Sequence, residues 1–509
     1  MLGFERRRTY IDNSVRNTLL NGLQGELDAE QSLRLNKIRQ AWDFYEGYHW
    51  EYLPEQDGEQ ITINYCRAFV DKLVAFELGK AFAFSVRKSL AGITIDDEGH
   101  DLYSYLESVW DENDWLTFCT NLGQMKSVTG EAWVHVRYKT PEELEEEGLD
   151  PYNLYPKGKI ELRIVPTSMI FPTYAPHDSG VLTSVAIMYT YERKYRSAIL
   201  GRLRTEKVNF KQIWTKDEIA TYDGDREPEV LPNKYHIIPF IQINNLPLAC
   251  RNYGRGDLDD IIPINTSYNL KESNMSEIID YHAAPITIVY GAKVGNLEKG
   301  ANKMWGGLSK DSRVENLELR GDLGASNNFT ATLKQAMCEV GGVPESSLGG
   351  ALAISNTSGV ALQYMNLPII EKVRVKKALT ERGLEKVNSL ILLISALEGL
   401  IKKPANVTNR DFYYSEVKIP DTLPKDTLLE LQQIEQEMRL GLESRRNAMK
   451  RLDKDDIDDL IQEIEREREE FPWVYGATDE NQVNSGMTNG QTTIEQVRKE
   501  MTGANGGEN

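Results

Sequence analysis

Residues 344–359, PESSLGGALAISNTSG, lie between a short amphipathic segment and a long apolar one, and this order decides the fold. Before them, four apolar residues recur at helical spacing: Phe329, Leu333, Met337 and Val340. This spacing predicts a helix with one buried face, which Gly341 and Gly342 end. Because residues 344–359 are small and uncharged after Glu345, we expect a flexible loop that needs neighbours or a ligand to order it.

The segment that follows, residues 360–401, predicts one long helix. Its apolar stripe consists of Leu362, Met365, Ile369, Ile370, Val373, Leu384, Val387, Ile391, Ile394 and Leu397. Pro368 interrupts the stripe near its start and should kink the helix, because proline lacks a backbone N–H. At about 1.5 Å per residue, such a helix would span roughly 60 Å, which is long for a globular protein.

The overall composition is that of a folded protein with an acidic surface. Of 509 residues, 40% are hydrophobic, and 78 acidic residues outnumber 59 basic ones to give a net charge of −19. So acidic a chain repels nucleic acid unless basic groups are concentrated locally. The sequence contains no run of apolar residues long enough for a membrane span, and no apolar core of a signal peptide near its start. We therefore expect a protein that functions in the cytoplasm or in a particle assembled there.

The sequence carries no motif of a catalytic or metal site. The four cysteines and six histidines are scattered, so we expect neither a zinc site nor a disulfide framework. A phosphate-binding loop of the G-x-x-x-x-G-K-[ST] type, a G-x-S-x-G elbow, an H-E-x-x-H motif and a Rossmann fingerprint are all missing. We therefore predict a protein that is not an enzyme, with no metal and no cofactor.

The first half of the chain predicts an α+β domain built on an antiparallel sheet. Helical patterns occupy residues 29–42, 66–78 and 103–129. Alternating patterns typical of strands occupy residues 81–86, 132–138, 160–165, 184–191, 208–214 and 218–222. Strands that follow one another with short turns favour antiparallel pairing.

A second helix-rich part begins at Asp257, which is a plausible N-cap. Pro263 should kink this helix, and its polar middle, residues 265–274, should be exposed in a monomer. A polar helix of this kind suits packing beside copies of itself. Two strands, residues 286–290 and 313–319, then form a small β insertion between two helices.

The last part of the chain is highly charged. A strand is predicted at residues 412–419, followed by helices at residues 427–440, 444–452 and 455–470, with Ser444 as a fresh N-cap. The tail beyond residue 476 is rich in Gly, Asn, Thr and Ser, and this composition predicts disorder.

Five short stretches together resemble the portal proteins of tailed bacteriophages, of the siphophage type. They are FYEG (44–47), INY (63–65) with Arg67 and a helix through Val70 and Asp71 to Gly79, VPTSMIFP (165–172), GDLDDIIP (256–263) and SGVAL (358–362). Their order, with a β insertion between two helices and then a small-residue loop, extends the resemblance over nearly the whole chain. It implies an α+β portal fold with wing, stem, clip and helical crown, a long kinked wing helix, and assembly into a ring.

The resemblance also implies a division of the chain into segments. These are wing (1–256), first stem helix (257–284), clip (285–325), second stem helix (326–342), tunnel loop (343–358), wing (359–421), crown (422–475) and a disordered tail (476–509). In this division the tunnel loop would face DNA through Ser346, Ser347, Leu348, Asn356, Thr357 and Ser358. The clip would dock the packaging motor through Lys293, Lys299, Lys303, Trp305, Lys310 and Arg313.

The implied function is a channel at one capsid vertex through which double-stranded DNA is packaged and ejected. The implied partners are further copies of the chain, twelve in the familiar ring, the terminase large subunit, the major capsid and scaffolding proteins, and a head completion or tail adaptor protein. Its place would be the virion, after assembly in the host cytoplasm and without a membrane. An acidic protein suits a channel, because each phosphate bound by Lys or Arg would add affinity that slows sliding.

Two other functions remain open from the residues alone. One is a metal-dependent enzyme that processes nucleic acid and uses scattered acidic residues as ligands. The other is a different head-to-tail adaptor ring, although such proteins are usually much shorter and lack the insertion between two helices. A nuclease assay distinguishes the first, and the mass of the assembled ring bears on the second.

Overall fold

The computed structural model describes residues 29–54, 59–196, 203–224, 226–249, 251–283, 287–290, 313–316, 323–349, 364–420, 427–452 and 457–470. The chain divides into two units, Met1–Leu423 and Pro424–Asn509. None of the helices in the described ranges combines the length and apolar character that a membrane span requires.

The described part of the first unit mixes helices and strands. Its helices are α1 (Ala29–Glu46), α2 (Tyr65–Leu78), α3 (Leu102–Glu112), α4 (Trp115–Thr129), α5 (Pro141–Glu146), α6 (Ile261–Ala283), α7 (Leu323–Gly341), α8 (Leu367–Leu397) and α9 (Asn409–Phe412). Its strands are β1 (Ala83–Ser85), β2 (Glu131–Lys139), β3 (Lys159–Val165), β4 (Ile170–Ala175), β5 (Asp178–Arg196), β6 (Leu203–Trp214), β7 (Glu218–Asp223), β8 (Glu229–Pro232), β9 (Phe240–Asn244), β10 (Thr287–Tyr290), β11 (Arg313–Asn316) and β12 (Glu416–Lys418).

The strands form antiparallel sheets, as the sequence predicts. A three-stranded sheet has the order β3-β2-β9, and a five-stranded sheet has the order β4-β5-β6-β7-β8. β1 pairs with β12, and β10 pairs with β11. The prediction of an α+β domain is thus confirmed in its coarse form, with two larger sheets where the sequence suggested one.

Polar side chains cap the first turns of several helices. Asn64 accepts a hydrogen bond from the backbone N–H of Arg67 at the start of α2, and Asp101 accepts one from Ser104 at the start of α3. Gly79 follows the last residue of α2, so the predicted end of this helix is confirmed. These caps satisfy backbone donors that a helix end otherwise leaves without partners.

The long helix α8 is the centre of the main hydrophobic core. Leu384, Ile391 and Ile394 are fully buried on it and belong to a cluster that also includes residues of α3, α4 and β2. Two hydrogen bonds fix α3 on α8: Trp110 Nε1 donates to Asn388 Oδ1 at 2.8 Å, and the Tyr105 hydroxyl donates to Ser395 Oγ at 2.8 Å. The half of α8 that carries these residues is therefore held rigidly in the first unit.

The long helix predicted for residues 360–401 is interrupted at Asn366, beside Pro368, where the sequence predicts a kink. α8 has 31 residues, about 46 Å at the usual rise, and Pro368 lies in its first turn. Proline is well tolerated there, because the first backbone N–H groups of a helix have no partner within it. Tyr364 and Met365 are helical and Asn366 forms a turn before α8, while residues 360–363 lie outside the described ranges.

The expected start of helix α6 is wrong. Asp257 is not its N-cap, because residues 257–260 form turns and the helix begins at Ile261. Pro263 therefore lies in the first turn and does not kink the helix. The predicted strand at residues 412–419 is shorter than expected, since α9 ends at Phe412 and β12 covers three residues.

The second unit contains three helices among its described residues: α10 (Thr427–Arg439), α11 (Arg445–Arg451) and α12 (Ile457–Glu470). Ser444 accepts a hydrogen bond from the backbone N–H of Asn447, so its prediction as an N-cap is confirmed. Arg451 pairs with Glu437 and, at 2.5 Å, with Glu443. These ion pairs link α11 to α10 and to the turn between them.

His135 on β2 gives the first unit a pH-dependent stability. Its ring stacks on Phe240 with centroids 4.2 Å apart. Burial, together with the charges of Arg137 and Arg163, lowers the pKa of His135 to about 3. An unfolded histidine has a pKa near 6.5, so below that pH the unfolded chain binds a proton that the folded chain does not. As the pH falls from about 6.5 to about 3, the free energy of unfolding therefore decreases by about 1.4 kcal/mol for each pH unit.

We therefore expect His135→Phe to lose stability less steeply on acidification than the wild-type chain. The measurement is the free energy of unfolding in urea from about pH 7 to about pH 5. His177→Phe, at an exposed histidine, is the matched control and should keep the wild-type slope. Equal slopes in the wild-type and His135→Phe chains would contradict this assignment.

Candidate functional site at the base of helices α6 and α7

Helices α6 and α7 pack against each other, and the chain between them includes the antiparallel pair β10 and β11. Thr287 is opposite Asn316 and Tyr290 is opposite Arg313, so the predicted β insertion is confirmed in its two strands. After α7 the chain runs through residues 342–366 into α8. The base of the two helices is therefore where the small-residue loop begins.

A ladder of polar side chains fixes α6 to the segment at residues 61–64, directly before α2. Asn265 Nδ2 donates to the Ile63 carbonyl at 2.9 Å, and Asn269 Oδ1 accepts from the Ile63 N–H at 3.1 Å. One turn further along, Ser273 Oγ accepts from the Ile61 N–H at 2.9 Å. These three side chains are buried, so the expectation that the polar middle of α6 is exposed is wrong for the face that carries them. Their spacing of four residues lets a helix pair with extended backbone.

His49 completes this contact with hydrogen bonds at both of its ring nitrogens. It is fully buried, and its Nε2 donates to the Phe44 carbonyl at 2.8 Å while Nδ1 accepts from Asn269 Nδ2 at 2.7 Å. Its ring stacks on Phe44 with centroids 4.5 Å apart. Burial lowers the pKa of His49, which agrees with a neutral ring whose two nitrogens are both engaged.

A buried ionic cluster includes Asp257, which lies four residues before the start of α6. Lys376 on α8 donates to Asp257 Oδ2 at 2.7 Å and lies 3.3 Å from Glu77 Oε2 on α2. All three side chains are fully buried. Burial alone would raise the pKa of Asp257, but the charges of Lys376 and Lys372 outweigh it and hold that pKa well below its usual range. Likewise, burial would lower the pKa of Lys376, and the two carboxylates raise it above its usual value.

Further polar groups extend the cluster to α4. Lys126 pairs with Glu77 Oε1 and donates to Thr380 Oγ1 at 2.5 Å, while the Thr380 hydroxyl lies 2.8 Å from Glu77 Oε1. Lys376 also donates to Ser127 Oγ at 2.9 Å. Charges removed from water are stable only when they are paired and hydrogen-bonded, and this cluster meets that condition with groups from α2, α4 and α8.

Lys372 joins this cluster to the end of α7. Its Nζ lies 2.9 Å from Asp257 Oδ1 and donates to the Gly341 carbonyl at 2.9 Å. Gly341 is the last residue of α7, where unpaired carbonyl groups favour a nearby cation. Lys372 therefore contacts, from α8, the residues that lie at the bases of both α6 and α7.

The first residues of the predicted tunnel loop are well packed. Val343 is fully buried in the second hydrophobic core, and Leu348 packs against the same cluster. Residues Glu345–Leu348 form a short 3-10 helix, and Ser347 Oγ donates to Asn366 Oδ1 at 2.5 Å. The loop is expected to need neighbours to order it, and for residues 344–348 an apolar contact and a hydrogen bond supply them.

Three of the predicted site residues besides Leu348 lie in the described ranges. Ser346 and Ser347 are half-buried in the short 3-10 helix, and Arg313 is an exposed first residue of β11. The remaining residues lie outside the described ranges: Asn356, Thr357, Ser358, Lys293, Lys299, Lys303, Trp305 and Lys310. Their roles stay predictions.

In the described part of the chain, one group of three side chains has the spacing of a metal site: Asp96, Glu98 and His100. Asp96 already accepts hydrogen bonds from the His100 backbone N–H at 2.8 Å and from the His100 ring at 2.7 Å. A third bond, from the Glu98 N–H at 3.1 Å, closes the same turn. These contacts explain the group as a structural turn.

The ionic cluster is the feature that sequence reasoning missed. A signal for it was present, because Lys376 and Thr380 fall at helical spacing on the same stripe as Val373 and Leu384. Lysine and threonine on an apolar stripe indicate buried polar partners. The partner Asp257 is 119 residues away, however, and no local pattern identifies it.

One protein-family model matches the chain over residues 24–471, and its description is phage portal protein, SPP1 Gp6-like. Two solved structures are similar in outline. A chain of the virion of a native gene transfer agent particle is 11% identical with a TM-score of 0.40, and the match covers 81% of this chain and 92% of that one. A chain of the neck of an empty gene transfer agent particle, computed with C6 symmetry, is 12% identical with a TM-score of 0.42, over 86% and 98%. Both TM-scores lie below 0.5, so the family assignment rests on the family model. No curated protein is significantly similar in sequence.

Proposed function

The chain belongs to the SPP1 Gp6-like family of phage portal proteins, and we propose that its copies form a closed ring around double-stranded DNA at one capsid vertex. The observation that carries this proposal is the family match, which includes α6, β10, β11, α7 and α8 in one continuous alignment range. The same match favours a portal protein over a nucleic-acid-processing enzyme or a short adaptor ring. The protein is a structural component in this proposal and hydrolyses no ATP.

Exposed apolar side chains on the two helices support ring formation. Ile278 and Ile279 on α6 and Phe329 and Val340 on α7 are each between 41% and 51% exposed in a single chain. Phe329 and Val340 lie eleven residues apart, which places them on one face of α7. Apolar faces of this kind are usually covered by association, and a ring of identical copies covers each face with its neighbour. The proposed ring has twelve copies.

Each segment of the chain is assigned to one part of the proposed portal. Helices α6 and α7 form the stem, the β10–β11 insertion is the clip, and α10, α11 and α12 form the crown. The clip, through Lys293, Lys299, Lys303, Trp305, Lys310 and Arg313, docks the terminase large subunit during packaging and a head completion or tail adaptor protein afterwards. The wing contacts the major capsid and scaffolding proteins, which places the ring in the virion.

Charge supports the passage of DNA through this ring. With a net charge of −19, the chain as a whole repels the phosphate backbone and so limits non-specific affinity. Residues 346–358 carry no charged side chain and can contact DNA at many positions without preference for a base. A DNA channel needs both properties, since strong phosphate binding would stop sliding.

Deletion of residues 350–358 tests the role of the loop. We expect the variant to form rings with the wild-type mass, because Val343 and Leu348 are held in the core and remain in place. Packaging or retention of DNA in particles made with this variant should fall severely. The measurements are light scattering of the purified ring and the DNA content of assembled particles. Particles that package and retain DNA at wild-type levels would contradict the proposed contact.

A further inference from the structure

Two lysines one turn apart on α8 have different surroundings. Lys376 is fully buried and contacts Asp257, Ser127 and Glu77. Lys372 is 18% exposed and lies at the edge of the cluster, where it contacts Asp257 Oδ1 and the Gly341 carbonyl. Of these two lysines, Lys372 is the one that donates a hydrogen bond to α7.

We propose that Lys372 is a positioning residue that fixes the end of α7 and the start of the following loop against α8. One consequence rests on the proposed function, namely that the loop begins at a fixed place beside DNA. The positioning itself is a property of the single chain.

The contacts of Asp257 show that Lys372 is not needed to neutralise the cluster. Asp257 Oδ2 contacts Lys376 at 2.7 Å and Asn245 Nδ2 at 3.1 Å, and neither contact involves Lys372. The Asp257 N–H also donates to the Ser127 carbonyl at 2.7 Å. Loss of Lys372 therefore leaves the Asp257 carboxylate paired with Lys376. The Gly341 carbonyl at the end of α7, in contrast, loses the cation that donates to it.

Besides Lys372, the end of α7 meets α8 through apolar packing, because Met337 and Val343 belong to the same buried cluster as Ile369 and Val373. The Gly342 N–H donates to the Glu339 carbonyl at 3.3 Å, and the Val343 N–H donates to the Cys338 carbonyl at 3.1 Å, so both bonds stay within the α7 terminus. Gly342 has φ +67° and turns the chain away from the helix. The bond between Lys372 and Gly341 links this terminus to α8, and Ser347 and Asn366 form a second link nearer the loop.

Amide hydrogen exchange of the full chain tests the proposal with Lys372→Met, which keeps an apolar stem of similar length. We expect the amides of residues 338–349 to exchange roughly tenfold faster or more, because a hydrogen bond to a charged group is lost there. The amides of Ile61 and Ile63, which are bonded to α6, should keep their wild-type rates. Lys386→Met, at an exposed lysine on the same helix, is the matched control and should leave both regions unchanged.

Faster exchange confined to residues 338–349 in Lys372→Met supports the proposal. Unchanged exchange there would overturn it, and so would an equal rise across the whole chain, which indicates general destabilisation. The result does not depend on ring formation, because it is read from contacts within one chain. Failure to form a ring would thus count against the proposed function, while this measurement would still decide the role of Lys372.

Discussion

Replacing Lys376 with methionine is expected to lower the free energy of unfolding of the first unit by about 3–5 kcal/mol. The substitution removes the cation between the buried Glu77 Oε2 and Asp257 Oδ2, and leaves Lys126 beside Glu77 and Lys372 beside Asp257. Breaking a buried ion pair by removing one partner costs far more than an exposed ion pair contributes, because the remaining charge stays out of water. Urea denaturation of the wild-type and variant chains measures the difference.

Lys386→Met is again the matched control, because Lys386 is on the same helix with an exposed side chain. It should change the free energy of unfolding by less than about 0.5 kcal/mol. If Lys376→Met were as stable as this control, the buried cluster would not hold α8 to α2 and to the segment before α6.

The second large effect is expected at Gly130, which ends α4. Gly130 has φ +90°, and a Cβ added there would lie 2.5 Å from the backbone oxygen of Gly254. Alanine in the left-handed region costs about 1–2 kcal/mol, and overpacking typically costs about 1–3 kcal/mol. Gly130→Ala should therefore lower the free energy of unfolding by about 2–5 kcal/mol in urea.

Gly148→Ala separates the two causes of that effect. Gly148 has φ +67° with nothing within 4 Å of the added Cβ, so its substitution introduces strain alone. We expect it to cost about 1–2 kcal/mol. A loss at Gly130 no larger than the loss at Gly148 would show that the two backbone segments near Gly130 and Gly254 separate freely.

The local elements of this protein could be predicted from sequence because local chemistry determines them. Asn64 and Ser444 cap helices where their side chains reach the next backbone N–H groups, and the alternation in residues 132–138 gives a strand. The same reasoning predicted an interruption at Pro368, because proline lacks the backbone N–H that a continuous helix needs, and a turn at Asn366 does precede α8. The pattern does not fix the exact residue, because proline is also tolerated in the first turn of the helix that follows.

The site at the base of α6 and α7 could not be predicted in the same way. Asn265, Asn269 and Ser273 have the spacing of an exposed polar face, and the sequence does not reveal that residues 61–66 lie against them. The partners of Lys372 and Lys376 are likewise distant in the chain. Pairings between distant residues depend on the assembled fold. A lysine considered by itself is expected to be exposed to solvent.

The mass and shape of the purified chain test the central claim, which is that copies of it close into a ring. Light scattering and negative-stain imaging should find a particle of roughly 700 kDa, twelve times the 57.9 kDa chain, with a central hole. A chain that stays at 57.9 kDa at every concentration, and also in the presence of its capsid and scaffolding partners, would contradict it.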